Sequence, residues 1–181
     1  TGGAVAGQAL VEHPLVQHVA LIGSVQTGRA IARAASEQLK KVSLELGGKN
    51  ACIIFPDADL DAAISGAVNG MNFGWCGQSC GSTSRLFVHE SIHDEVTKGI
   101  LDRIQRFRPG IPTDPSTTMG ALISQAQYDK VLRYIDIAHK DGAKLLHGGR
   151  RPDAPALAKG FFVEPTVFDG VSHEMRIARE E

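Results

Sequence analysis

Apolar residues in the first 55 positions form short continuous runs and one helical stripe. The run from His18 to Ile22 ends at a Gly-Ser pair, and segment 26–39 then places apolar side chains three and four residues apart. Segments 41–46 and 51–55 are two further apolar runs, separated by a Gly-Gly pair. Buried-type strands with a helix between them predict a parallel α/β arrangement.

The rest of the chain predicts three amphipathic helices. A stripe from Leu60 to Met71 predicts the first, with Asp57 or Asp59 near its start. Ser91 with Asp94, and Ser124 with Gln127, are typical of capping boxes that open the other two. The remaining predicted elements are a helix from about Gln8 to Pro14 and strands over 85–89, 143–146 and 161–168.

The composition is that of a soluble globular protein, with 43% hydrophobic and 22% charged residues among 181. The net charge of −1 supplies no field that would hold a nucleic acid or an anionic membrane. No apolar run approaches the roughly 20 residues that cross a bilayer. Three cysteines, an odd number, fit a reducing compartment better than a disulfide framework, so we expect a cytoplasmic protein.

The two ends of the chain do not coincide with the ends of predicted elements. The sequence starts at Thr1 and stops at Glu181, directly after a charged run with no helix cap or turn signal. A chain of this length can form a single domain. We nevertheless expect these residues to be a piece of a longer protein.

The three cysteines lie in different settings. Cys80 lies in the Gly- and Ser-rich loop 73–83, where a nucleophilic thiol and a plain loop thiol are both open interpretations. Cys52 lies within the apolar run 51–55 and is expected to be an inert, buried thiol. Cys76 and Cys80 form a C-x3-C pair, but no second ligand pair follows, so we expect no metal site.

Two other features could carry chemistry. Glu45 lies in an apolar strand end, where burial could make it a general base or a cation such as Lys41 or Lys49 could pair with it. Simple alternation along an edge strand would instead turn Glu45 toward water. The pair Gly23 and Ser24 joins a strand to a helix, and free N–H groups at a helix start suit a phosphate, although most such turns bind nothing.

The order of these motifs carries more information than any one of them. Glu-Leu-Gly-Gly-Lys at 45–49 and Gly-Gln-Ser-Cys at 77–80 are about thirty residues apart, a specific pairing. On these motifs the chain resembles the NAD(P)-dependent aldehyde dehydrogenase superfamily over essentially its whole length. Further matching segments are 21–24, 57–61, 119–124, 142–149, 162–166 and 177–181.

The resemblance implies an aldehyde dehydrogenase-like α/β fold in two parts. Residues 1–46 would be the C-terminal part of a Rossmann-like NAD(P)-binding domain. Residues 47–181 would be most of the catalytic thiol domain, truncated at its C-terminal end. Two residues depart from the family's pattern, Trp75 where an Asn is usual and Ala121 where a Pro is usual. Trp75 would either reshape the aldehyde passage or fill space.

The resemblance also implies a role for individual residues. Cys80 matches the nucleophile that forms a thiohemiacetal and then a thioester, and its backbone N–H would supply half of an oxyanion hole. Glu45 matches the general base that activates water for thioester hydrolysis. Residues matching the family's cofactor contacts are Gly23 and Ser24 at the pyrophosphate turn, Gly28 in the following helix, Leu46 beside the nicotinamide, and Glu181 on its ribose.

The implied activity is oxidation of a small-molecule aldehyde to a carboxylic acid with NAD or NADP, in a homo-oligomer (dimer or tetramer). Glu45 favours hydrolysis to the free acid, because family members that transfer the acyl group to coenzyme A typically lack this acid. Three alternatives stay open: a structural or interaction module with the same fold, a fragment inactive by itself, and a hydrolase with a cysteine nucleophile.

Overall fold

The computed structural model describes residues 2–181 and divides the chain into two compact units, the first ending at Gly48 and the second running from Lys49 to Glu181. The helices of residues 2–181 are α1 (Ala4–Glu12), α2 (Val25–Ser36), α3 (Leu60–Gly70), α4 (His93–Ile104), α5 (Gln125–Lys140) and α6 (Arg176–Arg179). The strands are β1 (His18–Gly23), β2 (Lys41–Leu46), β3 (Ala51–Ile54), β4 (Arg85–Val88), β5 (Lys144–His147) and β6 (Val167–Asp169). Short 3-10 turns cover Phe73–Trp75, Glu90–Ile92 and Pro155–Leu157.

The first unit is a strand-helix-strand arrangement preceded by α1. Strands β1 and β2 pair in parallel, as the sequence predicts, from His18 opposite Lys41 to Gly23 opposite Leu46. Helix α2 connects them, with the Ser24 hydroxyl accepting a hydrogen bond from the N–H of Thr27. This places the Gly-Ser turn at the carboxyl end of β1 and at the N-terminus of α2.

Helix α1 begins at Ala4, four residues before the predicted start near Gln8. The prediction was wrong because it used the first glycines for a sharp turn that precedes the helix. The N–H of Gly7 donates to the oxygen of Gly3 at 3.2 Å, so the first helical turn already includes Gly7. The alanines around Gly7 favour the helix enough to compensate for one glycine.

The second unit contains two small sheets with separate cores. Strands β3 and β4 pair in parallel, and α3 and α4 pack on one face of the pair. Strands β5 and β6 pair in antiparallel fashion near α5, with a register irregularity after Leu145. The first core contains Ile54, Ile64, Ala67, Ile92 and Val96, and the second contains Leu122, Tyr128, Ile135 and Val163.

Two of the three predicted helix starts are confirmed in this unit. The carboxylate of Asp59 accepts from the N–H of Ala62 at 3.1 Å, and the hydroxyl of Ser124 accepts from the N–H of Gln127 at 3.3 Å. The capping box at Ser91 is wrong. The ring of His89 accepts the N–H of Ser91 instead, so residues Glu90–Ile92 form a 3-10 turn and α4 begins at His93.

The predicted strand 161–168 is also largely wrong. Its residues Phe162 and Val163 are buried in the second unit, and only Val167–Asp169 pair with β5. Pro165 has no N–H to donate to a ladder, which explains why pairing does not extend toward Phe161. The mixture of helices with parallel strand pairs confirms the predicted α/β class. Within residues 2–181 no helix is long and apolar enough to span a membrane.

Candidate active site

The loop between α3 and β4, residues 71–84, folds back on itself through left-handed backbone turns. Asn72, Cys76 and Gly77 all have positive φ angles, of 57°, 58° and 67°. The N–H of Cys76 donates to the oxygen of Phe73 at 2.8 Å, and that of Gly77 donates to the oxygen of Asn72 at 3.0 Å. The segment that leads to Cys80 is therefore a hydrogen-bonded turn rather than an extended linker.

Cys80 is exposed, and its backbone is held on one side only. The side-chain amide of Asn50 donates to the carbonyl oxygen of Cys80 at 2.7 Å. The oxygen of Asn50 itself accepts from the N–H of Arg85 at 3.1 Å, where β3 and β4 begin to pair. Within residues 2–181 the N–H of Cys80 has no hydrogen-bond partner. An accessible thiol beside an unpaired N–H is the arrangement that can stabilise an oxyanion on a carbon bonded to that sulfur.

The part of the loop that contains Cys76 and Gln78 is hydrogen-bonded to segment 119–123. The half-buried Cys76 thiol donates to the oxygen of Gly120 at 3.2 Å, and burial raises the pKa of this thiol. The side-chain oxygen of Gln78 accepts from the N–H of Ile123 at 3.0 Å. Trp75 is 69% exposed, so it does not fill the core of this unit.

Lys49, Arg85 and Glu181 lie near one another in the second unit. The Arg85 guanidinium donates to the oxygen of Lys49 at 2.5 Å. Burial lowers the pKa of the half-buried Lys49 ammonium, while the charge of the Glu181 carboxylate opposes this change. The cations Arg85 and Lys130 lower the pKa of Lys49 further. Glu181 thus supplies a negative charge near the cations Lys49 and Arg85.

A network of hydrogen bonds holds the residue before Glu181. The Glu180 carboxylate accepts from Arg176 Nη2 at 2.8 Å and from the Tyr134 hydroxyl at 2.6 Å. Arg176 and then Tyr134 lower the pKa of Glu180 to about 2. The N–H of Arg176 donates to Asp141, the residue that follows α5. These contacts anchor α6 on α5 and so hold the main chain that leads into Glu181.

Glu45 follows the simple alternation of an edge strand. Along β2, Val42, Leu44 and Leu46 are half-buried, while Ser43 and Glu45 are exposed. Within the described part of the first unit, no cation forms an ion pair with Glu45, so the possible pairing with Lys41 is wrong. The carboxylate is open to water, which is the alternative to the burial that would favour a general base.

The predicted phosphate turn has the form that anion binding requires. The N–H groups of Val25 and Gln26 have no partner within residues 2–181, because the first turn of a helix lacks preceding carbonyls. Both residues are exposed. Gly28 faces Leu46, and a Cβ at Gly28 would lie 2.8 Å from Leu46 Cδ2. Glycine at this position therefore lets α2 approach β2 closely.

The predicted site residues fall in both units. Cys80 and Glu181 lie in the second unit, whereas Glu45, Leu46 and the α2 N-terminus lie in the first. The predicted domain boundary at 46/47 is two residues from the division after Gly48, and the assignment of these units to cofactor and catalytic domains stays a prediction. Among residues 2–181, no cluster of three or more His, Cys, Asp or Glu could hold a metal ion.

Sequence reasoning missed the side chains that hold the Cys80 loop. Asn50 binds the Cys80 carbonyl across thirty residues, and Gln78 binds Ile123 across forty-five. The available signals were positions alone, since Asn50 directly follows the Glu-Leu-Gly-Gly-Lys motif and Gln78 lies within Gly-Gln-Ser-Cys. Neither position indicates which main-chain group the side chain will meet.

Known proteins are similar to this chain over nearly all of its length. The family model described as "Aldehyde dehydrogenase family" matches residues 1–181. The aldehyde dehydrogenase tropH of Talaromyces stipitatus is 55% identical over 99% of this chain and 36% of its own length. A crystal structure of an NAD-dependent aldehyde dehydrogenase from Sinorhizobium meliloti has a TM-score of 0.92 at 44% identity, covering 99% of this chain and 35% of that one.

A second solved structure is similar to the same degree. Betaine aldehyde dehydrogenase from Staphylococcus aureus, in complex with NAD+, has a TM-score of 0.92 at 39% identity, covering 99% of this chain and 36% of that one. The fold and the full-length match define the class, and the chain belongs to the aldehyde dehydrogenase family. It spans about 36% of the length of the curated relative that it matches at 55% identity.

Proposed function

We propose that the whole protein oxidises a small-molecule aldehyde to a carboxylic acid, with a nicotinamide dinucleotide as hydride acceptor and Cys80 as nucleophile. One observation carries the proposal: the only exposed cysteine among residues 2–181 has an unpaired backbone N–H and a carbonyl held by Asn50. Family membership supports the reaction class, because the relatives are named as aldehyde dehydrogenases.

Acylation begins with the Cys80 thiolate. The sulfur adds to the aldehyde carbon, a C–S bond forms, and the carbonyl electron pair moves onto oxygen. The unpaired N–H of Cys80 then donates to this oxyanion, which is where preorganised donors lower a barrier most. The dinucleotide supplies the acceptor for the hydride that leaves the same carbon. When the oxyanion collapses, Cys80 carries a thioester.

Deacylation requires a base that water can reach. The exposed Glu45 carboxylate takes a proton from a water molecule, whose oxygen adds to the thioester carbon. Collapse of the second tetrahedral species breaks the C–S bond, releases the acid and returns the Cys80 thiolate. The assignment of this role comes from the family motif, and the alternation of β2 contributes only that water can reach the carboxylate.

The residues present fit a dinucleotide. The unpaired N–H groups of Val25 and Gln26 at the positive end of α2 suit a pyrophosphate. Gly28 brings this helix close to Leu46, the residue proposed to lie beside the nicotinamide. Glu181, fixed through Glu180, would accept from the ribose hydroxyls. NAD+ is favoured over NADP+, because the Staphylococcus aureus relative is solved in complex with NAD+.

The decisive experiment follows NADH formation by the whole protein with a panel of aldehydes. Replacing Cys80 by Ala removes the nucleophile, and we expect turnover to fall by at least about 10⁴-fold. Undiminished aldehyde-dependent NADH formation by Cys80→Ala would overturn the proposal. Hydrolysis of esters or thioesters by a protein that forms no NADH from any aldehyde of the panel would instead favour a cysteine hydrolase.

Glu45→Gln separates the two halves of the reaction. Acylation should survive in this variant because it needs no general base at this position, whereas hydrolysis should be blocked. We therefore expect one equivalent of NADH in a rapid burst, followed by little steady-state turnover. Steady-state turnover equal to that of the parent protein would remove Glu45 from the mechanism.

A further inference from the structure

We propose that Asn50 is a positioning residue for the nucleophile: its side-chain amide holds the Cys80 carbonyl so that the N–H of Cys80 stays free for the oxyanion. The inference rests on the proposed role of Cys80 and assigns to Asn50 a role that neither the motif nor the family match provides. It concerns the main-chain conformation at Cys80, not a new contact with substrate.

The geometry of Asn50 supports this role. Its amide donates to the Cys80 oxygen at 2.7 Å, a short distance for a neutral N–H···O bond. Its own carbonyl is held by the N–H of Arg85 at 3.1 Å, and Arg85 also binds the oxygen of Lys49. Asn50 therefore stands on the first rung of the β3–β4 pair, a fixed point from which it reaches the loop.

Two other hydrogen bonds hold the peptide groups on either side of the Cys80 Cα. The N–H of Gly81 bonds to the Ser79 hydroxyl at 3.2 Å, and the N–H of Ser82 bonds to the Ser79 oxygen at 3.1 Å. The first is made by the peptide group that contains the Cys80 carbonyl and the second by the peptide group that contains the Cys80 N–H, but neither uses the C=O or the N–H of Cys80 itself. Among residues 2–181, the hydrogen bond from Asn50 is the one polar contact to the backbone of Cys80.

The physical consequence concerns the oxyanion more than the thiol. Rotation of the backbone at Cys80 moves its N–H away from the place where the oxyanion forms, while the exposed sulfur stays accessible. Loss of Asn50 should therefore slow reactions of Cys80 that pass through a tetrahedral oxyanion. It should have little effect on reactions of the same thiol that build no such charge.

The test compares two reagents on the whole protein without dinucleotide or aldehyde. With p-nitrophenyl acetate, the Cys80 thiolate adds to the ester carbonyl, and the tetrahedral oxyanion expels p-nitrophenolate to leave an acetyl thioester. With iodoacetamide, the same thiolate displaces iodide at an sp3 carbon. Rates at Cys80 are measured by p-nitrophenolate release and by mass spectrometry of the alkylated peptide.

We expect Asn50→Ala to slow acylation by about tenfold to a hundredfold, which is no more than the rate loss caused by removing a whole oxyanion donor. Alkylation should change by less than about threefold. Asn50→Asp, which keeps the shape but lacks the donor when ionised, should behave like Asn50→Ala at pH 8. Asn69→Ala is the matched control, because Asn69 is exposed and binds Arg106 away from the loop.

Equal losses of the acylation and alkylation rates in Asn50→Ala would overturn the proposal, because they would indicate a general loosening of the loop. An unchanged acylation rate in Asn50→Asp would also overturn it, because the amide donor would then have no role. Thermal unfolding of each variant identifies misfolding, and Asn50→Asp supplies the readout if Asn50→Ala does not fold. Failure of this proposal is distinguishable from failure of the proposed function, which is overturned by aldehyde-dependent NADH formation in Cys80→Ala.

Discussion

The two cysteines of the loop between α3 and β4 lie four residues apart and in opposite environments. Cys76 is half-buried, and its thiol is committed to the oxygen of Gly120. Cys80 is exposed, and within residues 2–181 its hydrogen bonds involve its backbone carbonyl alone. The comparison shows that one loop can anchor one thiol and expose another, because groups from different parts of the second unit bind the loop near each cysteine.

The largest effect that we expect from this comparison is a difference in reactivity between the two thiols. We expect iodoacetamide to modify Cys80 at least about tenfold faster than Cys76 at pH 7.5, because the thiolate is the reactive form and burial opposes it at Cys76. Mass spectrometry of the two peptides measures both rates in one sample. Denaturation in urea should make the rates similar, and equal rates in the folded protein would remove the distinction.

The next largest effect is expected at Gly77, in the left-handed turn between the two cysteines. Gly77→Ala places a Cβ on a residue with φ of +67° and 3.1 Å from Met71 Cε, so we expect a loss of about 1 kcal/mol in the free energy of unfolding. Urea denaturation measures it. Gly74→Ala is the control, because its Cβ would make only an ordinary contact with Thr118 at 3.7 Å. Equal losses of unfolding free energy in both variants would show that the positive φ at residue 77 does not require glycine.

The anchoring thiol should make stability depend on alkaline pH. Burial raises the pKa of Cys76 above its usual value of 9.0, so its contribution is complete below that pH and is lost as pH rises through the folded-state pKa. Cys76→Ser keeps a donor for Gly120 but does not titrate in this range. We therefore expect the melting temperature of the parent protein to fall more than that of Cys76→Ser between pH 8 and 10.5; parallel curves would contradict this.

The smallest expected effect concerns Gln78, which lies between the cysteines. Gln78→Ala removes the acceptor for the N–H of the exposed Ile123, and we expect a loss of about 0.5 kcal/mol in unfolding free energy. Hydrogen exchange at the Ile123 amide is the sharper measurement and should accelerate. Gln105→Ala, which removes a side-chain bond within α4, should leave that amide unchanged. Unchanged exchange in Gln78→Ala would show that this anchor is not formed in solution.

Local patterns predicted the parts of the fold that depend on local physics. Apolar runs at 18–22, 41–46 and 51–55 correspond to β1, β2 and β3, because β-branched and other apolar side chains favour the extended backbone of a strand. The Ser124 cap is confirmed for the same reason, since its partner N–H lies three residues away. The failed cap at Ser91 shows the limit: a neighbouring His89 ring competes for the same N–H.

The candidate site was predicted less completely. The motifs identify Cys80, Glu45 and Glu181 by type and order, and the roles of these residues stay proposals. The exposure of Glu45 was left open by its apolar neighbours and was decided by the alternation of β2. The support of Glu181 through Glu180, Tyr134 and Arg176 was not predicted, because it depends on the packing of α6 against α5.

The sequence alone determined membership in the aldehyde dehydrogenase family, the α/β class and the identity of the candidate nucleophile, because these depend on residue types at regular or short spacings. Tertiary structure alone decided that Cys76 is an anchor and Cys80 is presented, and that Asn50 reaches the Cys80 carbonyl thirty residues away. That contact exists because β3 and β4 pair in one register, and no local pattern carries a partner at such a distance.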